Sequence, residues 1–340
     1  TFTVMQDSTN ITTSAEIYVN GVRNNGSTFT AASAGTYSVY AMYQGVKSNT
    51  VTLTATAPDP SNYEIVFAEG VSLTTGWYDV NKKATGLNGD INMCWAAASS
   101  NIIQWWQDRY VAAGNTLPSG AISGPGTTSY TNYGPYELEL MNMFLTQWNN
   151  EKGGHMEQAI PWYFEGVLNG GELASSGSQA YPLTAGGYFS SVWSSITPYM
   201  YRGYDSNVGY ATCYNNYYIW GNGSSYTGTD RLKKFSDLVV EAFEHGMAGL
   251  TISLSATLSS THHATTLWGY EIDKTTGLLT RVWITDSDDL EDEPKSQILN
   301  EYTVSIGTGN SQIKLSGGSR YGACYVVSLH PISGYGSAGN

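Results

Sequence analysis

Three residue types that can form a nucleophilic couple occur in the order Cys, His, Asp along this chain of 340 residues. Cys94 opens the segment CWAAASSNIIQWW, in which Trp95, Ala98, Ile102, Trp105 and Trp106 recur at helical spacing. A thiol at a helix N-terminus meets unpaired backbone N–H groups and the positive end of the helix dipole. Both favour the thiolate, the form that attacks a carbonyl carbon. Such a nucleophile needs an imidazole to move its proton and a carboxylate to orient that imidazole. His263 begins the strand-like run HATTLWGYEID, and Asp286 and Asp288 end the run VWITDSD. His263 lies eleven positions before Lys274, and Asp286 nine after Gly277, so pairing through a KTTG turn sets His263 and the Asp286 region at one end of a hairpin. On position alone, a buried structural cysteine explains Cys94 as well.

The elements that must position these residues are legible in outline. A helix is expected from near Cys94, a second over Gly134–Trp148, and a third over DRLKKFSDLVVEAFEHG. In the third, Asp230 is the expected N-cap, Gly246 the stop, and Leu232, Phe235, Leu238, Val239, Ala242 and Phe243 the buried stripe. From Met247 onward the chain reads as strands: AGLTISLS, HATTLWGYEID, LLTRVWITDSD and YGACYVVSL. Helices followed by an antiparallel sheet predict an α+β domain over residues 64–340. Residues 1–56 alternate in side-chain character with Gly and Asn at the turns. They predict a small all-β, immunoglobulin-like sandwich, with Tyr37, Val39 and Ala41 on one face and Val51, Leu53 and Ala55 on another. Pro58 and Pro60 mark residues 57–63 as a linker. The region between Leu168 and Tyr226, rich in Gly, Ser and Tyr, yields no clear elements.

Composition narrows the function. The net charge is −13 and no stretch is basic, which argues against nucleic acid as a partner. The apolar runs are too short to span a bilayer. The low share of charged residues (13%), the abundance of Gly and Tyr, and a start at Thr1 suggest an exported protein lacking its leader, secreted or attached to a cell surface. There are three cysteines and neither CxxC nor HExxH, so no metal or other cofactor is expected. Cys213 and Cys324 are read either as a disulfide or as two separate buried thiols. The acidic run Asp286–Pro294 lacks the Gly and the late Glu of a calcium loop. His262 should point away from His263 within a strand. His155, His245 and His330 are read as surface or capping residues, and at least one of Trp105 and Trp106 as core.

From about Glu64 to Ser333 the chain resembles the IdeS/Mac family of streptococcal immunoglobulin-degrading cysteine proteases, which are papain-like in fold. The resemblance is carried, in order, by GWYDVNK, CWAAASSNIIQWW, the helix LKKFSDLVVEAFEHGMAGLTIS, HATTLWGYEID and VWITDSD. It implies Cys94 as nucleophile, His263 as general base and acid, Asp286 as third triad member, Asp288 as supporting carboxylate, and Lys82 at the oxyanion site. Three features depart from the family pattern: Lys83 adjoins Lys82, the spacing from Lys82 to Cys94 is longer, and Trp rather than Gly follows the cysteine. The implied activity is a cysteine endopeptidase acting on a protein substrate, with immunoglobulin the family's target. Two other functions fit parts of the sequence. The aromatic middle suits a surface adhesin or glycan-binding protein on an inactive protease scaffold, and the triad also suits papain-like acyl transfer.

Overall fold

The alternation before the prolines does fold into strands. In the computed structural model, which describes residues 1–31, 33–56, 59–82, 90–124, 138–166, 179–196, 217–218, 227–253, 262–288, 299–307, 312–317 and 321–333, the chain forms two compact units, Thr1–Asn62 and Tyr63–Asn340.

The first unit holds a hairpin of β1 (Met5–Gln6) and β2 (Thr9–Asn10), then β3 (Glu16–Val19), β4 (Val22–Arg23), β5 (Gly35–Tyr43), β6 (Val46–Lys47) and β7 (Val51–Ala55). The last five make one antiparallel sheet in the order β4-β3-β5-β6, with β7 also paired to β5. Ile17, Val19 and Val39 form its buried core, with Tyr37 and Leu53 packed against them. Ala41 is buried as the alternation requires, whereas Val51 is exposed.

In the second unit, β8 (Tyr63–Phe67) precedes α1 (Cys94–Ala112), α2 (Glu139–Gln147), β9 (Trp148–Asn149), α3 (Met156–Glu165), β10 (Tyr181–Pro182) and α4 (Trp193–Ile196). Then come β11 (Tyr217–Tyr218), α5 (Gly228–His245), β12 (Gly246–Ser253), β13 (His262–Asp273), β14 (Leu278–Thr285), β15 (Asn300–Ile306), β16 (Ile313–Gly317) and β17 (Tyr321–Ser333). Strands β12 to β17 pair antiparallel in the order β17-β12-β13-β14-β15-β16. A β16–β17 pairing closes the sheet on itself, so these strands leave no open edge between them. This unit is therefore mixed helix and sheet with a closed sheet.

Long β13 organises the ring. Its first half pairs with β12, from Ser253↔His262 to Ala248↔Leu267, and its second half with β8, from Gly269↔Phe67 to Asp273↔Tyr63. Glycine is required at that handover, because a Cβ on Gly269 would sit 2.4 Å from the Phe67 ring. The opposite edge of β13 pairs with β14 through the expected turn, closed by Gly277 N–H donating to the Asp273 carbonyl.

Two cores flank the sheet. The α5 stripe of Leu232, Phe235, Leu238, Val239 and Ala242 packs with Leu250, Ile252, Leu267 and Val326. Helices α1, α2 and α3 build the other from Trp95, Ile102, Trp105, Phe144, Trp162 and their neighbours, with both Trp105 and Trp106 fully inside. Several expected boundaries shift. Helix α5 starts at Gly228 with Thr227 in the N-cap position, so Asp230 falls in the first turn, where its charge still complements the dipole. Helix α2 runs Glu139–Gln147 after the extended Leu138, and residues 134–137 of the expected helix lie outside the described residues. Helix α3 was not expected. Pro161 sits inside it, a residue that normally marks a helix end, yet burial of Ile160, Trp162, Tyr163 and Phe164 holds the helix together.

The Trp106 ring stacks on Tyr110 at 5.2 Å and meets Phe164 and Phe189 edge-on at 4.8 and 5.4 Å. Trp106→Ala should therefore cost about 3–5 kcal/mol in chemical denaturation. Val111→Ala, exposed on the same helix, should stay within about 0.5 kcal/mol.

Candidate active site

Cys94 is the first residue of α1, and no side chain caps that terminus, so a cap does not consume the first-turn N–H groups. Half-buried Cys94 opens onto a pocket of about 260 Å³ between α1, the start of α3, and strands β12, β13 and β17.

The hairpin alignment holds. Thr285, the last residue of β14, pairs with Thr266 of β13, so Asp286 emerges beside the start of β13 and its Oδ1 is hydrogen-bonded to His263 Nε2. Both groups are buried, His263 at 3% and Asp286 at 2% exposure. With Nε2 committed to the carboxylate, Nδ1 is the nitrogen left to serve the thiol, and the two side chains of Cys94 and His263 are hydrogen-bonded. Asp288 donates its backbone N–H to Asp286 Oδ1 at 2.9 Å, and its own carboxylate lies 3.9 Å from His263 Nδ1.

These contacts set the proton affinities. Burial opposes the charged thiolate, but the His263 hydrogen bond and charge, the Ala264 backbone N–H and the Lys82 ammonium outweigh it, and the Cys94 pKa falls below its ordinary value. Burial likewise disfavours a charged imidazole, yet the hydrogen bonds to Asp286 and Cys94 push His263 up to about 10. The arrangement favours a thiolate–imidazolium pair. Cys324 contrasts with this. It is free and fully buried, and desolvation with the nearby Asp286 charge pushes it up to about 12. It forms no disulfide among the described residues; Cys213 lies outside them.

Lys82 approaches from the GWYDVNK segment. Its ammonium pairs with Asp288 Oδ1 at 2.5 Å and donates to the Ile91 carbonyl at 2.9 Å. Hydrogen bonds clamp this segment at three points. Asn101 of α1 accepts from Val80 N–H, Thr285 Oγ1 donates to the Tyr78 carbonyl, and the Ser287 carbonyl accepts from Lys82 N–H. Asn101 also donates to Thr266 Oγ1, tying nucleophile helix, lysine segment and histidine strand into one network. Lys83 and the remainder of the acidic run, from residue 289, lie outside the described residues. So does most of the aromatic middle from 167 to 226.

The structure thus brings together Cys94, His263, Asp286, Asp288 and Lys82. It also corrects the reading of one histidine. His330 is neither surface nor cap: it is buried, its Nε2 meets the hydroxyls of Thr251 (2.8 Å) and Ser328 (3.1 Å), and its Nδ1 faces Glu157. His155 lies at the surface as expected, in the N-cap position of α3 but without a side-chain capping hydrogen bond, and it too faces Glu157. Period-two alternation could have put Ser328 and His330 on one strand face, but their partner Glu157 belongs to the unforeseen α3. Exposed His262 and terminal His245 lie as expected. Among the described residues no His/Cys/Asp/Glu group is arranged to hold a metal ion, and no helix is long and apolar enough to cross a membrane.

A family model described as Mac 1 matches residues 13–116 and 223–323. The segments contain all five of these side chains. An IgM protease of Streptococcus suis (strain P1/7) is 27% identical over 255 residues, which cover 69% of this chain and 19% of that protein. The chain thus spans about a fifth of the length of the relative it matches.

If the contacts raise thiolate character as described, Cys94 should alkylate with iodoacetamide well before Cys324 at mildly acidic pH. His263→Ala should slow Cys94 by about tenfold or more. Timed labelling followed by peptide mass spectrometry measures both; equal rates at the two thiols would contradict the ion pair.

Proposed function

This chain belongs to the Mac-1 family, and on that premise we propose that it is a cysteine endopeptidase, papain-like in its catalytic unit, acting on extracellular protein. The observation that carries the reading is the continuous contact from Cys94 through His263 to buried Asp286. The Cys94 thiolate attacks a peptide carbonyl carbon and the carbonyl π electrons move onto oxygen. The Lys82 ammonium and the Cys94 backbone N–H hold that oxyanion. His263 gives its Nδ1 proton to the leaving nitrogen as the C–N bond breaks, which leaves an acyl-thioester on Cys94. It then takes a proton from water, whose oxygen attacks the thioester and releases the acid and the thiolate. Asp286 keeps the imidazole in the Nε2–H form and offsets its positive charge. Asp288 holds Lys82 in reach.

The relative's name makes immunoglobulin the first protein substrate to test. It also favours a site of action outside the cell, secreted or surface-attached. The N-terminal unit is read as an immunoglobulin-like spacer. Incubation with purified immunoglobulins and unrelated serum proteins, read by gel and terminal sequencing, tests the function. Cleavage that disappears in Cys94→Ala supports it, and no cleavage of any protein or peptide overturns it.

The pH profile follows from the two shifts. Below the lowered Cys94 value the thiolate protonates and activity falls; above about 10 the imidazolium loses the proton needed by the leaving amine and activity falls again. A plot of kcat/KM against pH should therefore be bell-shaped. Asp286→Asn should move the alkaline limb to lower pH, since the bond to Asp286 is the largest contribution raising His263.

Lys82 acts on charge that develops only in the transition state. Lys82→Ala should cost on the order of 100–1,000-fold in kcat with a much smaller change in KM. Steady-state kinetics beside Lys83→Ala decide which lysine serves the oxyanion; a crippled Lys83→Ala with an active Lys82→Ala would reassign the role.

A further inference from the structure

The mechanism leaves a buried amide on the nucleophile helix unused. Asn101 lies two helical turns after Cys94, on the same face of α1, and is 3% exposed. Among the other buried polar residues of α1, Ser99 and Ser100 turn back to carbonyls of their own helix, at Trp95 and Ala96. Gln104 and Gln107 bind residues 122–124. Asn101 instead crosses to the two other elements of the site. Its Oδ1 accepts from Val80 N–H at 3.1 Å, and its Nδ2 donates to Thr266 Oγ1 at 3.0 Å. Val80 comes two residues before Lys82, and Thr266 three after His263 on β13. Val80 is itself buried, at 2% exposure, so its N–H has no water to turn to when Asn101 is lost. Leaving that donor unpaired costs free energy that the chain recovers by moving its backbone toward water. The two ends of the segment have other anchors. The Tyr78 carbonyl accepts from Thr285 Oγ1 at 3.0 Å, the Tyr78 hydroxyl donates to Asp108 at 2.5 Å, and Lys82 N–H donates to the Ser287 carbonyl at 2.8 Å. The Asn101 bond holds the middle.

We propose that Asn101 is a positioning residue for the oxyanion cation: its two bonds, to Val80 and Thr266, set the Lys82 ammonium relative to the Cys94 helix and the His263 strand. These three groups must converge on one carbonyl carbon and its oxygen. Misplacing one of them by about 1 Å can cost on the order of 100-fold in rate. The Cys94–His263 pair has separate supports, the start of α1 and the β13–β14 ladder. Loss of Asn101 therefore loosens the hold on the oxyanion and leaves the thiolate–imidazolium pair in place. This inference rests on the endopeptidase reading and on the part that reading gives to Lys82.

The test reads the tether with and without catalysis, on the full chain. In the first arm, steady-state kinetics are normalised to the Cys94 that iodoacetamide titrates. Asn101→Ala should lower kcat on the order of 10–100-fold and change KM much less. The rate of Cys94 alkylation and its pH dependence should stay close to those of the parent chain. In a Lys82→Ala background the same substitution should cost far less, because a cation that is absent cannot be misplaced. Asn101→Asp should recover most of kcat, since its carboxylate still accepts from Val80 N–H and from the Thr266 hydroxyl. A merely structural Asn101 would lower the titratable fraction without lowering kcat per titrated thiol, or cut kcat equally in both backgrounds; either result overturns the proposal. If Asn101→Ala fails to fold, Thr266→Val removes one of the two bonds with little change of shape. It should show the same dependence on Lys82, and additivity there overturns the proposal equally. The second arm is hydrogen–deuterium exchange, which needs no substrate. Asn101→Ala should speed exchange across residues 78–82, including the Lys82 amide that Asn101 does not touch, while β13 and β14 keep their protection. Faster exchange there with no cleavage of any peptide by the parent chain supports the tether and overturns the endopeptidase. Cleavage with unchanged exchange and additive kinetics overturns the tether while the endopeptidase stands.

Discussion

The site hangs on one buried contact, the hydrogen bond between the His263 imidazole and the Asp286 carboxylate. Each group is almost wholly removed from water, and burial alone would drive the imidazole toward its neutral form. Together they reverse that tendency: the carboxylate holds a proton on the imidazole, and the charged imidazole in turn draws the proton from Cys94. Everything else keeps these groups in register. The β13–β14 ladder aligns them, the ring closure through β16 and β17 stiffens the ladder, and α5 covers the apolar side. A one-residue slip in that ladder would turn the carboxylate to the opposite face, so the hairpin register is as much a condition of the chemistry as the residues themselves.

The same register places the second acidic group. Asp288 follows Asp286 closely enough to donate a backbone N–H to its carboxylate, and its own carboxylate reaches both Lys82 and the vicinity of His263. Lys82 and His263 thus share one carboxylate neighbour. Lys82 is held by a carboxylate and a carbonyl, and its backbone is pinned to Ser287. Such a tether orders the ammonium in advance, which is what its proposed role at the oxyanion would require.

Parts of this were legible in the sequence because they are local. The helix opening at Cys94 follows from apolar spacing. The approach of His263 to Asp286 follows from counting along a hairpin whose turn residues identify it. Both depend on chain segments short enough for periodicity to settle. What escaped was non-local. Asn101 looks like one more polar residue on a helix, and only the fold brings it against Val80 and Thr266. Lys82 carries no mark of its ion pair with Asp288. Helix α3 was hidden by Pro161, since the local cost of proline is overridden by burial of the aromatic residues around it. With that helix unread, Glu157 had no address, and His330 had no visible acidic partner.

The pocket shows why that hidden helix matters beyond packing. Gly154 lies so close to the Trp95 indole that a Cβ there would come within 2.6 Å of the ring, which lets the chain leading into α3 run against the nucleophile helix. That close approach carries His155, Met156 and Glu157 to the pocket that Cys94 lines. Helix α1 and the closed sheet supply Cys94, His263 and Asp286, but part of the pocket wall comes from the start of α3, whose close approach to Trp95 that glycine permits. The Cys94–His263–Asp286 contacts and the α3 wall of the pocket therefore rest on different elements. A substitution in α3 can alter that wall without touching the His263–Asp286 bond.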